Sequence, residues 1–503
     1  MIRDKKLLNI RKILMKKFIS LLTVLLLTSA LTSCQTPEES STPSMRMELF
    51  EEKKNAFGNI EAPSDFDWKQ CDGIILDFIV ENNINANILS KECDKFTNVT
   101  GIKVNIKSMD FNTMTEKINM EFISKTGRYE LIYVDPYQTL NRFHEELENL
   151  NRFEDNPDIL HIVGGLDSFS PAQTEVCSYF QTKDKLCAIP FDSTTMIFFY
   201  RKDIFEKYGD AMQQDLGYDP HPGSSSFTWE HYIEVSEWID VHVPKNEIRY
   251  ASLTMSAAHN SIYTEFSNVL NSYGGDYFAD KNVNTLGVPL GSTLLADSDA
   301  FIKALGIYQK MAYLDRDNAG KFNWAEAADI FKNGEAAMML NWDENAPALE
   351  NSRESTVAGN VGYAILPYGS IRSANIYGGS GIGINSNASE EKKLAAWLFI
   401  VWATSPQLQI NAFLEDQGGN MPTRTNLKHL ITGQYMAKLP HASATITAQK
   451  KSFAYYRPKM EKGYEFENMI ITNLTQMIHD NLSAMQTAQN MQMDWNNIRN
   501  ASG

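Results

Sequence analysis

Asp343 and Glu344 are the residues that first invite a chemical reading, two carboxylates in the loop Asn341-Trp342-Asp343-Glu344-Asn345. Neighbours on one loop cannot flank a scissile bond, because glycoside hydrolysis needs two carboxyl groups about 5 to 10 Å apart on opposite sides of it. No Gly-x-Ser-x-Gly elbow, His-Glu-x-x-His pair or phosphate-binding loop occurs in the 503 residues. The glycines of Gly378-Gly-Ser-Gly381 lack the spacing of a dinucleotide fingerprint, and no CxxC or Cys/His cluster provides for structural zinc. Catalysis therefore has no candidate, and no cofactor or metal is called for. The same loop can hold a molecule without transforming it: the indole of Trp342 offers a flat apolar face, with the polar groups of Asn341 and Asp343 beside it.

A second chemical signal lies near the start of the chain. Met15-Lys-Lys-Phe-Ile-Ser-Leu-Leu-Thr-Val-Leu-Leu-Leu-Thr-Ser-Ala-Leu-Thr-Ser-Cys34 joins a short basic head, an apolar run and small residues ending in one cysteine. The run from Phe18 to Leu31 is short for a bilayer span, the pattern of a removed export signal; a retained N-terminal anchor is the alternative. Leu31-Thr-Ser-Cys34 resembles the bacterial lipobox, whose cysteine receives diacylglycerol before cleavage. Residues 1–33 then leave as a lipoprotein signal peptide, and acyl chains on Cys34 hold the mature chain on a membrane, facing the extracellular side or a periplasm. Met1 and Met15 both stay open as the start.

Residues 1–33 carry seven Lys/Arg and one acid, so their loss takes the formal charge from −16 to −22. That balance argues against nucleic acid, which needs basic patches. The remaining 470 residues exceed one compact core and suit two large lobes. Four cysteines follow Cys34. Cys177 and Cys187 flank Ser178 to Leu186, which reads as a hairpin, so Cys177–Cys187 with Cys71–Cys93 is the expected pairing in an exported chain; free buried thiols are the other reading.

From Cys34 to residue 70 the sequence is rich in Glu, Ser, Thr, Pro and Lys and reads as a flexible tether. Strands are expected at Gly73–Val80, Gly101–Lys107 and Tyr129–Val134, alternating with helices at Ala86–Phe96, Asn112–Ser124 and Thr139–Leu150. Such a rhythm builds a mostly parallel sheet, and ligands sit outside the carboxyl ends of its strands, here Glu81-Asn82-Asn83, Asp110 and Asp135-Pro136-Tyr137. After the extended stretch Ala188–Tyr200 a second rhythm begins, with helices at 202–208, 229–241, 261–273, 299–313 and 325–332 and strands at 336–340 and 362–366. Near Gly378 the chain returns to the first lobe with a strand and the helix Glu390–Ala403. The expected organisation is α/β: lobe 1 from 71–190 and 376–415, lobe 2 from 191–375 and 416–503.

In this order the chain carries Phe96-Thr-Asn-Val-Thr-Gly-Ile-Lys-Val104, Leu186-Cys-Ala-Ile-Pro-Phe-Asp192, Phe199-Tyr-Arg-Lys-Asp-Ile-Phe205, Phe227-Thr-Trp-Glu-His-Tyr232 and Asn271-Ser-Tyr-Gly-Gly-Asp276. Phe331-Lys-Asn-Gly-Glu-Ala-Ala-Met-Met339, Tyr377-Gly-Gly-Ser-Gly381, Ala395-Ala-Trp-Leu-Phe399 and Met421-Pro-Thr-Arg424 follow. Together they resemble the bacterial extracellular solute-binding proteins of family 1, receptors of carbohydrate ABC importers. The resemblance implies the two-lobe periplasmic-binding fold, a sugar or oligosaccharide in the interlobe cleft, delivery to permease subunits, and a monomer. A non-sugar solute such as a polyamine or peptide, and a surface carbohydrate-active enzyme, are the alternatives. The candidate ligand-binding residues are Asn82, Asn83, Asp135, Tyr137, Thr194, Trp342, Asp343, Tyr377, Gly379, Arg424 and Tyr464. Several have structural readings: Trp342 as core, Asp343 as a helix cap, Asp135 in an Asp-Pro turn, Gly379 in a connecting turn, Asp192 and Thr194 as hinge, Arg424 as the anchor of a carboxylate. Tyr464 matches a position where maltodextrin-type members carry a stacking aromatic.

The thioether to diacylglycerol needs the Cys34 sulfur, so Cys34→Ala should move the protein from the membrane fraction to soluble or unprocessed fractions. Fractionation with immunoblotting checks this; unchanged membrane partitioning with intact cleavage would refute the lipoprotein signal.

Overall fold

The computed structural model describes residues 60–280, 284–413, 421–428 and 439–501. The signal segment, Cys34 and most of the expected tether lie outside them, as does the expected lobe boundary at 415. Among the described residues no helix is long and apolar enough to cross a membrane.

Apolar runs become buried strands. β1 (Ile75–Glu81), β2 (Lys103–Met109), β3 (Leu131–Val134) and β4 (Ile189–Pro190) lie in a first sheet. β5 (Met196–Arg201), β6 (Tyr250–Leu253), β7 (Ala336–Trp342) and β8 (Val361–Ala364) form a second, in the order β6-β7-β5-β8. β9 (Asn375–Ile376) leads out of it, and β10 (Gly381–Ile384) enters the first sheet antiparallel between β3 and β4, giving β2-β1-β3-β10-β4. β11 (Ala454–Tyr455) then runs parallel to β9. β1 is parallel to β2 and β3, as the alternation of strands and helices requires.

Helix starts follow from their caps. Asn83 accepts from the Ala86 amide to begin the helix Ile84–Thr100, and Asp110 accepts from the Thr113 amide to begin Phe111–Ser124. The helix Glu390–Ala403 is buried over nearly its whole circumference from Ala395 onward, and Trp397 donates from its indole to Leu160 O at 2.8 Å. One expected helix is absent. Thr139–Leu150 instead forms a short π turn at Pro136–Leu140, the single turn Asn141–Phe143 and a 3-10 turn at His144–Glu146. Asp135, bonding to the amides of Tyr137 and Gln138, starts the helical winding too early for the predicted register.

The expected disulfides do not form: Cys71, Cys93, Cys177 and Cys187 are free thiols. Residues 178–186 are not a simple hairpin, because Cys177 belongs to the last turn of the helix Pro171–Ser178. Its sulfur lies 3.4 Å from Gly379 O and 3.9 Å from the Tyr377 hydroxyl, whereas that of Cys187 lies 3.7 Å from Lys185 O and 3.9 Å from His144 O. With the thiol vectors aimed at different neighbours, no bridge geometry exists. Burial pushes the Cys177 thiol up to about 12 and that of Cys187 up to about 11, which keeps both protonated and unreactive.

Arg424 is structural. Only 1% exposed, it donates from Nε to Thr404 O at 2.8 Å and from Nη1 to Val163 O and Ser168 Oγ at 2.6 Å, with its guanidinium over the Phe169 ring. Removing it strands carbonyls in the interior, so Arg424→Met should cost about 3 kcal/mol of folding stability. A denaturant midpoint unchanged from the parent protein would contradict this role.

Candidate functional site

Two extended segments pass between the sheets and are laced together. Ser380 O accepts from the amides of Phe191 and Asp192 at 2.9 and 3.0 Å, and Gly378 donates to Thr194 O at 2.9 Å. The lacing is tight: a Cβ on Gly379 would lie 2.2 Å from the Tyr377 hydroxyl and 2.3 Å from Asp192 O. A third segment joins them where Tyr377 donates its amide to Tyr455 O at 3.0 Å. Acids pin the crossing. Asp192 accepts from the Tyr133 hydroxyl at 2.8 Å and the Ser193 amide at 2.6 Å, and Asp343 accepts from Thr194 Oγ1 at 3.1 Å and the Thr195 amide at 2.8 Å.

Beside this crossing the strand ends of the two sheets enclose a cavity of about 210 Å³. The first sheet contributes Glu81 at the end of β1, Phe111 at a helix start, and Asp135, Tyr137 and Gln138 after β3. The second contributes Trp342 at the end of β7, Glu344 and Asn345 after it, and Trp324 and Asn260 from the first turns of two helices. Thr194, Gly378 and Arg457 complete the lining. The aromatic rings meet edge to face, Phe111 to Trp324 at 6.1 Å and Trp324 to Trp342 at 6.2 Å. The Arg457 guanidinium lies 4.1 Å from the centre of the Tyr137 ring.

Asp135 and Arg457 are buried in this cavity, and Glu81 and Glu344 are partly buried. Burial pushes the Glu81 carboxyl up to about 8, with Asp192 and Asp135 adding to the effect. Burial likewise raises Glu344, whose largest charged neighbour is Glu81. Asp135 is raised by burial, against the pull of Arg457 and of the amides it caps. Burial opposes the Arg457 charge, and Tyr137, Tyr263, Glu467 and Asp135 more than restore it.

Of the residues singled out from sequence, Asp135, Tyr137, Thr194 and Trp342 meet at the cavity. The others do not line it. Asn82 sits outside with Ser108, and Asn83 is spent on its helix cap and on Asp192. Asp343 and Tyr377 serve the crossing, the latter donating to Asp192 O at 3.0 Å, and Gly378 rather than Gly379 reaches the lining. Tyr464 is 44% exposed beneath the Arg142 guanidinium. Phe111, Trp324 and Arg457 also line it without having been singled out, as do Glu81 and Glu344, noted in sequence only as a strand end and as a neighbour of Asp343. Trp324 and Arg457 had signals of their own: Trp324 follows the helix cap Asn323, and Arg457 lies in Tyr455-Tyr456-Arg457-Pro458.

A family model, bacterial extracellular solute-binding protein, matches residues 83–410. The chain belongs to this family. It is an ABC-transporter solute-binding protein, not an enzyme, of an extracellular or periplasmic family. The erythritol/L-threitol-binding protein of Mycolicibacterium smegmatis is 23% identical over 370 residues, 70% of each chain. A probable amino-acid ABC transporter periplasmic-binding protein of Sinorhizobium fredii is 21% identical over 371 residues, 73% of this chain and 76% of its own. Among solved structures, maltose-bound MalE3 of T. maritima superposes with a TM-score of 0.70 at 22% identity, over 85% of this chain and all of that one. An Agrobacterium vitis solute-binding protein with bound D-mannitol gives 0.67 at 20%, over 86% and 99%. These likenesses establish the fold, the mixed α/β periplasmic-binding architecture with its cleft between lobes.

The crossing generates a test of its own. Gly379→Ala forces a methyl group into the contacts of Tyr377 with Asp192, and overpacking of this kind costs about 1 to 3 kcal/mol. Chemical denaturation should show that loss; a variant as stable as the parent would mean the crossing yields easily.

Proposed function

We propose that this solute-binding protein captures one small sugar or polyol in the cavity between its sheets and hands it to an ABC permease, while a lipid on Cys34 tethers it to the membrane. The observation that carries the reading is the lining itself. The rings of Trp324, Trp342, Phe111 and Tyr137 stand beside Gln138, Asn260 and Asn345, flat apolar faces next to hydroxyl partners. A volume of about 210 Å³ favours a single ring or a linear polyol over a long oligosaccharide. The ligands named for the relatives and neighbours, erythritol/L-threitol, D-mannitol and maltose, support a polyhydroxylated solute.

Lining from both sheets gives the mechanism. A solute that touches Glu81, Asp135 and Tyr137 on one side and Trp342 and Trp324 on the other binds the closed form better than an open one, and only that difference shifts the population. Phe111 against Trp324, and Asn112 within 3.4 Å of His259, close the contact across the mouth. Hinge duty falls to the laced segments around Asp192 and Gly378.

A thermal-shift screen over monosaccharides, polyols, amino acids and polyamines, followed by calorimetry on the best solute, tests the reading. Trp342 is 8% exposed and packs on Trp324, so Trp342→Ala should weaken that solute by about 1 to 3 kcal/mol, with some loss of stability. Stabilisation by amino acids alone, or an affinity unmoved by Trp342→Ala in a folded variant, would overturn it.

A further inference from the structure

Glu81 and Glu344 come from strand ends of different sheets and line one cavity. The other acids nearby have their donors: Asp135 the amides of Tyr137 and Gln138, Asp192 the Tyr133 hydroxyl and the Ser193 amide, Asp343 Thr194 and Thr195. Glu81 has a share of the Tyr133 hydroxyl, and among the described residues no donor reaches Glu344. No basic group is among the charges that bear on either glutamate. Arg457, the basic residue of the lining, is engaged by Tyr137, Tyr263, Glu467 and Asp135 instead.

A second, independent observation concerns donors on the same lining. Tyr137 and Arg457 line the same space with side chains each only 4% exposed, and the Tyr137 hydroxyl and Nε and Nη1 of Arg457 have no hydrogen-bond partner among the described residues. Buried donors of this kind are costly until an acceptor reaches them, and a guanidinium does not deprotonate to escape the cost. A solute must therefore offer acceptors toward Arg457 and Tyr137. A neutral polyol can do so, but it leaves two carboxylates facing one cavity across the closure of the lobes. A single cation satisfies both. A divalent metal would need more oxygen ligands, and no group of three His, Cys, Asp or Glu suited to a metal exists among the described residues.

We propose that the solute carries a protonated amine seated between Glu81 and Glu344, with its hydroxyls directed to Arg457 and Tyr137: an amino sugar or amino polyol. The ligand class rests on the sugar reading above, whereas the ammonium seat rests on the two glutamates. Burial, with the neighbouring acids adding to it, raises both glutamates and favours their protonated forms until a cation reaches them.

Calorimetry on the full chain at pH 7 with matched solutes tests the proposal: D-glucosamine, D-glucose and N-acetyl-D-glucosamine, the corresponding galactose and mannose sets, and putrescine. The expected result is that in at least one set the free amine binds about tenfold to hundredfold tighter than both its neutral partners. Glu344→Gln, which keeps shape and removes charge, should collapse that ratio towards one, and Glu81→Gln should do the same should the first variant fail to fold. A neutral sugar or polyol that binds as tightly as its amine, or an amine preference untouched in both variants, overturns the ammonium seat and leaves the sugar reading standing. Binding of putrescine but of no sugar, lost in Glu344→Gln, supports the seat and overturns the sugar reading. Binding of nothing in the set overturns both.

Discussion

The lacing of Phe191–Thr195 to Tyr377–Ser380 is the constraint on which the rest of the molecule depends. Backbone bonds between these segments, with glycine where a side chain would collide, hold two sheets at a distance that brings their strand ends face to face. A sheet's carboxyl-end crevice is shallow on its own. Set opposite a second sheet, it becomes an enclosed space walled by residues from remote parts of the chain: 81 and 137 from one side, 324 and 342 from the other.

Enclosure has an electrostatic consequence. Carboxylates that would be ordinary at a surface are raised when closure takes them out of water, and their fate depends on what each finds nearby. Asp192 and Asp343 find amides and hydroxyls and become fasteners of the crossing, the same acids that sequence motifs place beside the binding loops. Asp135 finds two amides and the charge of Arg457. Glu81 finds Asp192, Asp135 and a share of the Tyr133 hydroxyl, and Glu344 finds Glu81, Asp192 and Asp343, so neither meets a basic partner among the described residues. Aromatic packing works alongside: Trp342 belongs to the core around the second sheet and to the cavity wall at once, so the shape of the cavity and the packing of that core share a side chain.

Much of the fold was legible before any coordinates. Apolar runs at 73–80 and 129–134, the capped helix beginning at Asn112 and the helix Glu390–Ala403 fall within a few residues of their observed bounds, because period and capping are local properties. The segment after Asp135 was not, since an Asx cap and a π turn look like an ordinary helix in sequence. The cysteines were misread for a related reason: a spacing of ten residues suggests a hairpin, whereas a helix ending at Ser178 turns Cys177 toward Tyr377.

The sequence by itself determined the class of this protein: the order of its strands and helices and the motifs of a solute-binding family are written along the chain and need no partner to be read. Only the tertiary structure decided the site. Arg424 and Tyr464 looked like binding residues, yet one is locked into backbone carbonyls and the other is 44% exposed, while Trp324 and Arg457 drew no notice, Glu81 was seen only as a strand end and Glu344 only as a neighbour of Asp343, and all four line the cavity. A binding residue is defined by what lies across from it, and what lies across from each of these is more than a hundred residues away along the chain, brought there by the crossing of two sheets.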